Sequence, residues 1–488
     1  MLFNSIDFWG FFAVIFTLYF FVPQKFKWLF LLLASYFFYG YWKKEYLLLL
    51  AFPTLVTYVA ARGMDAARSP GRRKLFFWSG LTVSLGLLFV FKYLGLFWQT
   101  LLDLIGYLRH EPMKSSLHIL LPIGISFFTF RMLSYLIDVY LRRIPAEKHL
   151  GIYALYVSFF PQLLAGPIDR AAHLIPQLKS PVHFDWDRIT SGFRLIVWGL
   201  FKKMVIADRM IFFVTHVFRS PEGQRLYLVF AAYFYAFQIY CDFSGYSDMA
   251  IGVSRILGFT SQKNFDFPYF SRSVSEFWNR WHISLSSWLR DYLFLPLAYA
   301  TMRRIKGAEL LAVKAETWGY FVGIFLTMLL GGLWHGAGWT FVIWGALYGV
   351  YMTFAYASKR LRKKIVKKTG LQRLPRLHAA WSIFVTFNLV SFAWIFFRAP
   401  SFPAALTAIG QIEFRFPDDE SIHLLFNLLL LLPFVLIEFF YKNSGGSGPI
   451  VFWQRFPKLV KMAFFALFCC LLLVFAMDAT NEFIYMQF

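Results

Sequence analysis

Charged side chains are scarce in this sequence. Asp, Glu, Lys and Arg make up only 15% of the 488 residues, whereas hydrophobic residues make up 59% and aromatic residues 22%. Soluble domains usually carry about 25% charged residues. A soluble enzyme with so few charges would expose large apolar patches and aggregate. The composition therefore favours an integral membrane protein over a large soluble enzyme with an apolar core.

Cysteine is equally scarce. Cys241, Cys469 and Cys470 have neither the spacing of a zinc or iron–sulfur site nor the even number of a disulfide framework. We therefore predict no metal site and no bound cofactor. Residues 8–22 lack both a basic segment before them and a small-residue cleavage site after them. They are predicted to be a retained span rather than a signal peptide.

Internal repeats are also missing from the sequence. Transporters often contain paired halves with broken helices in matching places, so their absence favours an enzyme, with a transporter or flippase as the alternative. No stretch has the composition of a soluble domain. We therefore predict a single transmembrane domain over residues 1–488.

Long apolar stretches are what the sequence does contain. A helix needs about 20 residues to cross about 30 Å of hydrocarbon, and apolar stretches recur between residues 7 and 477. They predict an all-α polytopic membrane protein with about 11–13 transmembrane helices. Residues 28–40, 150–166 and 209–218 are too short to span alone, which predicts tilted, re-entrant or interfacial pieces. Polar residues between 226–241 and 247–259 predict two separate segments there.

The positive charges lie in short runs between the apolar stretches. This placement is typical of cytoplasmic loops of membrane proteins, so the net charge of +23 does not indicate nucleic-acid binding. The loop at 359–376 contains only basic charged residues and is predicted to be cytoplasmic. The acidic loop at 412–423 follows one crossing later and is predicted to lie outside. Counting onward places the tail at 478–488 on the extracytoplasmic side.

His335 is the first candidate catalytic residue. Residues 317–358 contain no Asp, Glu, Lys or Arg, and His335 is their only histidine. Four glycines between residues 331 and 338 are predicted to break the helix or to let another backbone come close, and irregular backbone survives at membrane depth only beside protein or a cavity. A neutral imidazole there can accept a proton from an attacking hydroxyl. The alternative is a structural histidine bonded to a neighbouring carbonyl.

A second constellation lies at 271–297. The sequence from Ser273 to Glu276 has the form of a capping box, and Glu276 and Arg280 are spaced for an i,i+4 ion pair. Trp278, His282 and Ser286 would share one face of a single amphipathic helix near the cytoplasmic boundary, with Trp281 and Trp288 as interfacial aromatic residues. His282 is a candidate catalytic, structural or substrate-positioning residue.

A third polar group runs from residue 238 to residue 248. Asp242 and Asp248 are costly between apolar runs unless they are paired. They are predicted to orient a histidine or to bind Arg280 or Arg290. A capped break between two helices is the alternative.

Two further features lie earlier in the chain. Arg131 and Asp138 are two helical turns apart and are interpreted as structural residues. Residues 160–170 contain two prolines and a glycine, which predicts a broken, re-entrant segment.

Four segments together resemble the membrane-bound O-acyltransferase family. They are residues 160–170, 239–252, 271–297 and 330–345, in this order. The similarity is strongest to the bacterial branch that includes the alginate, peptidoglycan and teichoic acid enzymes. The resemblance implies a ring of helices around a central funnel, with short re-entrant and amphipathic helices. It also implies that 270–357 is the catalytic segment.

The resemblance also implies roles for individual residues. His335 would be catalytic and His282 the second family histidine, with Trp334, Asn279, Arg280, Asp242 and Ser244 as candidate substrate-binding residues. The last residues are similar to a terminal motif whose tyrosine is thought to carry the acyl group. Here that residue is Tyr485, and Met486 replaces an aromatic residue of the motif. The alternative for Tyr485 is an aromatic residue at the membrane interface.

The implied function is acetyl transfer across a bacterial inner membrane. The donor would be acetyl-CoA or an acyl-carrier protein, and the partner an extracytoplasmic acetyltransferase of the SGNH type. The acceptor would be an exopolysaccharide such as alginate, with peptidoglycan, or D-alanyl transfer to teichoic acid, as alternatives.

Overall fold

The computed structural model describes residues 1–111, 113, 119–305, 309–310, 313–417, 422–443, 456–476 and 483. Within these ranges the regular secondary structure is helical apart from one two-residue ladder, in which Glu309–Leu310 pairs antiparallel with Val313–Lys314. The predicted all-α class is confirmed.

Two compact units make up the chain. The first contains Met1–Val197 and Tyr246–Lys263, and the second contains Trp198–Gly245 and Asn264–Gln487. The prediction of one domain over the whole chain stays a prediction.

The helices before residue 226 are mostly short. They are α1 (Ile6–Phe21), α2 (Lys27–Gly40), α3 (Tyr46–Ala66), α4 (Pro70–Leu88), α5 (Leu94–Arg109), α6 (Ile125–Tyr140), α7 (Leu150–Ser158), α8 (Phe160–Leu163), α9 (Ala171–Lys179), α10 (Trp186–Leu200) and α11 (Asp208–Arg219). Wider π-helical turns at Phe89–Tyr93 and Phe201–Ala207 join α4 to α5 and α10 to α11.

The later helices carry both candidate histidines. They are α12 (Leu226–Ile256), α13 (Val274–Arg280), α14 (Ile283–Leu289), α15 (Leu295–Arg304), α16 (Ala315–His335), α17 (Trp339–Ala357), α18 (Lys359–Lys368), α19 (Pro375–Arg398), α20 (Phe402–Gly410), α21 (Ile422–Asn443) and α22 (Lys458–Ala476). A third π-helical segment, Arg290–Phe294, lies between α14 and α15.

Seven described segments are long and apolar enough to cross a membrane. They are α3, the continuous stretch Pro70–Arg109, α12, α16, α17, α19 and most of α21. The protein is therefore a multi-pass membrane protein. The estimate of about 11–13 crossings also counted shorter stretches, including α1.

The predicted separation of 226–241 from 247–259 is wrong, because α12 is one helix of 31 residues. Its polar residues do not need a break to reach water. Asp242 pairs instead with the Nζ of Lys203 at 2.7 Å, and Ser244 accepts a hydrogen bond from Lys202 at 2.9 Å. A polar side chain that has a protein partner leaves the helical backbone undisturbed.

The glycines near His335 have both of the predicted roles. Gly331 and Gly332 lie inside α16, which continues to His335, and the helix breaks only at 336–338. A Cβ on Gly332 would overlap the Phe341 carbonyl oxygen, and a Cβ on Gly345 would overlap the Met328 carbonyl oxygen. The glycines therefore allow α16 and α17 to pack backbone against backbone, as small residues do between membrane helices.

This close packing predicts a difference between two kinds of glycine. Gly332→Ala should destabilise the protein and lower its melting temperature in detergent, because the added methyl meets backbone that cannot rotate away. Gly10→Ala is the matched control, since Gly10 lies inside α1 with nothing within 4 Å of the added Cβ. That variant should be neutral or more stable by about 0.5–1 kcal/mol. Equal melting temperatures for the two variants would contradict the proposed packing.

Candidate active site

His335 is the last residue of α16 and is only 3% exposed. Its ring lies 4.9 Å from the Trp334 ring, 4.9 Å from the Trp344 ring and 5.5 Å from the Phe397 ring. All three contacts are edge-to-face, with interplanar angles between 72° and 84°. Helices α16, α17 and α19 thus surround the imidazole with aromatic rings, which exclude water from it.

His282 lies at the junction between α13 and α14 and is fully buried. Its ring contacts Trp334, with 6.0 Å between the ring centroids. Trp334 therefore contacts both histidines, and the second unit brings His282, Trp334 and His335 together. Sequence spacing predicted each residue separately but not this shared tryptophan.

The predicted single helix over this segment is partly wrong. The capping box is confirmed, because the Ser273 hydroxyl accepts from the Glu276 N–H at 3.1 Å, and Glu276 pairs with Arg280 at 2.9 Å. However, α13 ends at Arg280, and His282 has a left-handed backbone with φ 43° and ψ 56°. Trp278, His282 and Ser286 therefore do not share one helical face.

Asn264 explains the break at His282. Its side-chain oxygen accepts from the N–H of Ser284 at 3.2 Å, so it caps the first turn of α14 from outside the helix. It also contacts the Ser284 hydroxyl at 2.9 Å and the Nδ1 of His282 at 3.1 Å. Because this cap comes from a distant position in the chain, no local sequence signal marked it.

The prediction that Trp281 and Trp288 are interfacial is wrong. Trp281 is fully buried and Trp288 is 4% exposed. Phe243 meets the His282 ring edge-on at 4.6 Å, and Phe265 lies 6.5 Å from it. Burial lowers the pKa of His282 to about 3. The imidazole is therefore neutral at physiological pH and available as a proton acceptor.

The predicted substrate-binding residues are dispersed. Asn279 is exposed on α13, and Arg280 is bound to Glu276 and lies 3.7 Å from Asp266. The predicted pairing of Asp242 with Arg280 or Arg290 is wrong, because Arg290 pairs with the adjacent Asp291 at 2.8 Å. The Asp266 N–H also donates to the Arg280 carbonyl at 2.9 Å, and the carboxylate of Asp242 pairs with Lys203.

Asp242 instead belongs to a buried ion cluster that also contains Lys203 and Asp208. Lys203 Nζ lies 2.7 Å from Asp242 and 2.8 Å from Asp208, and all three residues are at most 4% exposed. Burial raises the pKa of Asp208 to about 6, although the adjacent Lys203 opposes that shift. The two buried carboxylates thus share the ammonium of Lys203.

Tyr485 and the rest of the tail at 478–488 lie outside the described residues, except Phe483. Phe483 is 2% exposed, and its ring lies 5.7 Å from the Phe243 ring, which in turn contacts His282. Among the residues that the structure describes, no group of His, Cys, Asp or Glu is arranged to hold a metal ion.

Comparison with known proteins identifies the family. The model of the membrane-bound O-acyltransferase family, MBOAT, matches residues 148–399, just over half of the chain. The chain belongs to the membrane-bound O-acyltransferase family. It is therefore an O-acyltransferase, and both His282 and His335 lie within the matched residues.

Several curated relatives of this acyltransferase are similar over most of their length. The "Probable alginate O-acetylase AlgI" of Pseudomonas putida is 35% identical, with 100% of both chains covered. The "Peptidoglycan O-acetyltransferase" of Helicobacter pylori is 35% identical over 78% of this chain and 72% of its own. The "Teichoic acid D-alanyltransferase" of Streptococcus thermophilus is 31% identical over 56% of this chain and 68% of its own.

A second polar network of the acyltransferase lies in its first unit. Arg131 donates to Gln162 at 2.6 Å, and Gln162 donates to Asp169 at 2.6 Å, all three being at most 1% exposed. Asp138 pairs instead with Arg143 at 3.1 Å. These contacts fit the structural interpretation of Arg131 and Asp138. The segment at 160–170 is broken, as predicted, because α8 is a single helical turn.

The ion cluster predicts an order of stability between two variants. Lys203→Met leaves two buried carboxylates without their cation, which should cost about 3–5 kcal/mol. Asp242→Asn should cost less, because the Lys203–Asp208 pair remains. Thermal unfolding in detergent measures both, with the exposed Lys364→Met on α18 as the control. If Asp242→Asn is the more destabilising variant, the charge assignment is wrong.

Proposed function

We propose that this acyltransferase moves an acetyl group from a cytoplasmic thioester across the membrane for O-acetylation of an extracellular polysaccharide. An alginate-like acceptor is favoured, because the alginate O-acetylase of Pseudomonas putida is 35% identical over 100% of both chains, whereas the equally identical peptidoglycan enzyme of Helicobacter pylori matches 78% of this chain. The teichoic acid enzyme of Bacillus subtilis is 28% identical over 60% of this chain, which makes D-alanyl transfer the less favoured reaction.

The observation that carries this proposal is the buried pair His335 and His282 on either side of Trp334. His335 acts as the general base. It takes the proton of an attacking hydroxyl while the C–O bond of the new ester forms. The C–S bond of the thioester then breaks, and the proton passes from the imidazole to the departing thiolate. The aromatic wall keeps water from competing as the nucleophile.

The basic loop after α17 supports a cytoplasmic donor. Helix α18 carries seven Lys and Arg residues in ten positions, and all seven are exposed. Positive charge of this density marks the cytoplasmic side. It also attracts anionic partners, such as the phosphates of acetyl-CoA or the surface of an acidic carrier protein.

Tyr485 is the proposed carrier of the acetyl group between the two sides. The contact of Phe483 with Phe243, which in turn contacts His282, supports this proposal, because Tyr485 follows Phe483 by two residues in the sequence. A phenol has a pKa of about 10, which makes its ester more reactive than an ester of a sugar hydroxyl. Transfer from thioester to Tyr485 and then to the polysaccharide therefore runs downhill in two steps.

The second transfer requires an acceptor enzyme outside the membrane. We assign this step to an extracytoplasmic acetyltransferase of the SGNH type, which would take the acetyl group from Tyr485. The predicted location is the bacterial inner membrane, with the C-terminal tail at 478–488 on the extracytoplasmic side.

The general-base role predicts the effect of His335→Gln. Glutamine is similar in size but does not accept a proton, so transfer of labelled acetate from acetyl-CoA should fall by about 10²- to 10⁴-fold. His216→Gln is the matched control, because His216 is exposed on α11. It should retain wild-type activity. Full activity of purified His335→Gln at normal protein levels would refute the mechanism.

The relay predicts the effect of Tyr485→Phe, which removes only the hydroxyl. Base-labile acetyl label on the protein should disappear, and acetylation of the polysaccharide in cells should be lost. Tyr299→Phe is the control, since Tyr299 is 53% exposed on α15. Wild-type acetylation with Tyr485→Phe would exclude the relay. If D-alanine rather than acetate is recovered from the protein, the transferred group is D-alanyl and not acetyl.

A further inference from the structure

We propose that Asn264 is a positioning residue that fixes the tautomer of His282, with the proton on Nδ1 and the lone pair on Nε2. The hydrogen bonds that argue for this tautomer are independent of the reaction. Its catalytic meaning rests on the proposed function, in which the histidine pair handles the proton of the attacking hydroxyl.

The Asn264 side chain presents one atom of its amide group to His282. An oxygen and a nitrogen of a side-chain amide have nearly the same shape, so the hydrogen-bond partners must decide between them. The backbone N–H of Ser284 lies 3.2 Å from this atom, and a backbone N–H is always a donor. The atom is therefore the carbonyl oxygen Oδ1. The Ser284 hydroxyl at 2.9 Å also donates to it.

The ring nitrogen of His282 that faces this oxygen is Nδ1. His282 Nδ1 lies 3.1 Å from Asn264 Oδ1. An amide oxygen only accepts, so this contact is a hydrogen bond only if Nδ1 carries the proton. The other tautomer would place two lone pairs opposite each other at the same distance. In a buried site, this repulsion and the loss of the hydrogen bond at Nδ1 would cost about 1–3 kcal/mol.

The Ser284 hydroxyl does not change this assignment. It lies 3.5 Å from His282 Nδ1 and 2.9 Å from Asn264 Oδ1. Its single proton goes to the shorter contact, which leaves its oxygen lone pairs facing Nδ1. Both oxygen atoms around Nδ1 therefore favour a proton on that nitrogen.

The backbone around His282 holds this arrangement in place. The Ile283 N–H donates to the Asn264 carbonyl at 2.9 Å, so the two segments are joined through backbone as well as side chain. His282 itself is left-handed, a conformation that costs a residue with a side chain about 1–2 kcal/mol. The hydrogen bonds that Asn264 accepts offset this cost and place the His282 ring against Phe243.

The consequence is a defined role for His282. A neutral ring with the proton on Nδ1 accepts at Nε2 and does not donate there. The groups packed against the ring include the aromatic side chains of Phe243, Phe265 and Trp334, together with Asn264 and Ser284. Nε2 is thus the nitrogen at which His282 accepts a hydrogen bond, and Asn264 acts only through His282.

Solid-state ¹⁵N NMR of the histidine-labelled protein in lipid tests the tautomer directly. Subtracting the spectrum of His282→Gln from that of the wild type isolates the two His282 nitrogens. We expect a protonated Nδ1 and an unprotonated Nε2 in the wild type, and loss of this pattern in Asn264→Leu. An unprotonated Nδ1 with a protonated Nε2 in the wild type would overturn the proposal.

Activity measurements then separate positioning from folding. Asn264→Leu should lower acetyl transfer by about 10²-fold or more at unchanged protein levels. Asn264→Asp keeps an acceptor opposite Nδ1 but adds a negative charge, which favours the protonated imidazole. The variant should keep the tautomer and shift the low-pH limb of its rate profile to higher pH. A wild-type profile in Asn264→Asp would contradict a contact with the reacting histidine.

A second asparagine, Asn388, provides the control. Asn388→Leu removes an amide oxygen that accepts from Tyr233 at 2.6 Å, and its rate and pH profile should remain those of the wild type. The NMR result does not depend on acetyl transfer. If His335→Gln stays active while the His282 tautomer is as expected, the proposed function fails and the role of Asn264 in fixing the ring stands.

Discussion

A bilayer provides no water to a buried polar group, so each such group in this protein needs a partner from another segment of the chain. Lys203 has Asp208 and Asp242, Lys202 has Ser244, and Tyr240 donates to Glu438 at 2.6 Å. These contacts join α12 to distant parts of the second unit. The polar residues of α12 that predicted a break in the helix therefore connect it to other segments of the chain.

The same scarcity of water defines the chemistry of the histidine site. Its walls consist largely of aromatic rings, and Trp334 and Trp344 meet the His335 imidazole edge-on, as Phe243 meets that of His282. Such contacts hold a ring in place without protonating it. A base in these surroundings keeps its lone pair for the reacting hydroxyl. The high aromatic content of 22% thus forms the site as well as the lipid-facing surface.

Features that depend on local chemistry could be predicted from the sequence. The capping box at Ser273 and the isolated His335 are of this kind, because each is recognisable within a few residues. The continuity of α12 was missed, because the partner of Asp242 is Lys203, almost 40 positions earlier in the chain. The left-handed turn at His282 was missed for a similar reason, since the cap of α14 is the distant Asn264. The periodicity of the sequence alone predicts an uninterrupted helix through a residue such as His282.

Trp334 and His335 are consecutive residues, whereas His282 reaches the same tryptophan from another part of the chain. The hairpin of α16 and α17 therefore carries only half of the machinery, and grafting it onto another membrane scaffold would not transfer the activity. A single-residue insertion before Trp334 would rotate its indole by about 100° around the helix axis. His335 would rotate with Trp334, so His282 would lose its contact with Trp334, and His335 would lose its contacts with Trp344 and Phe397.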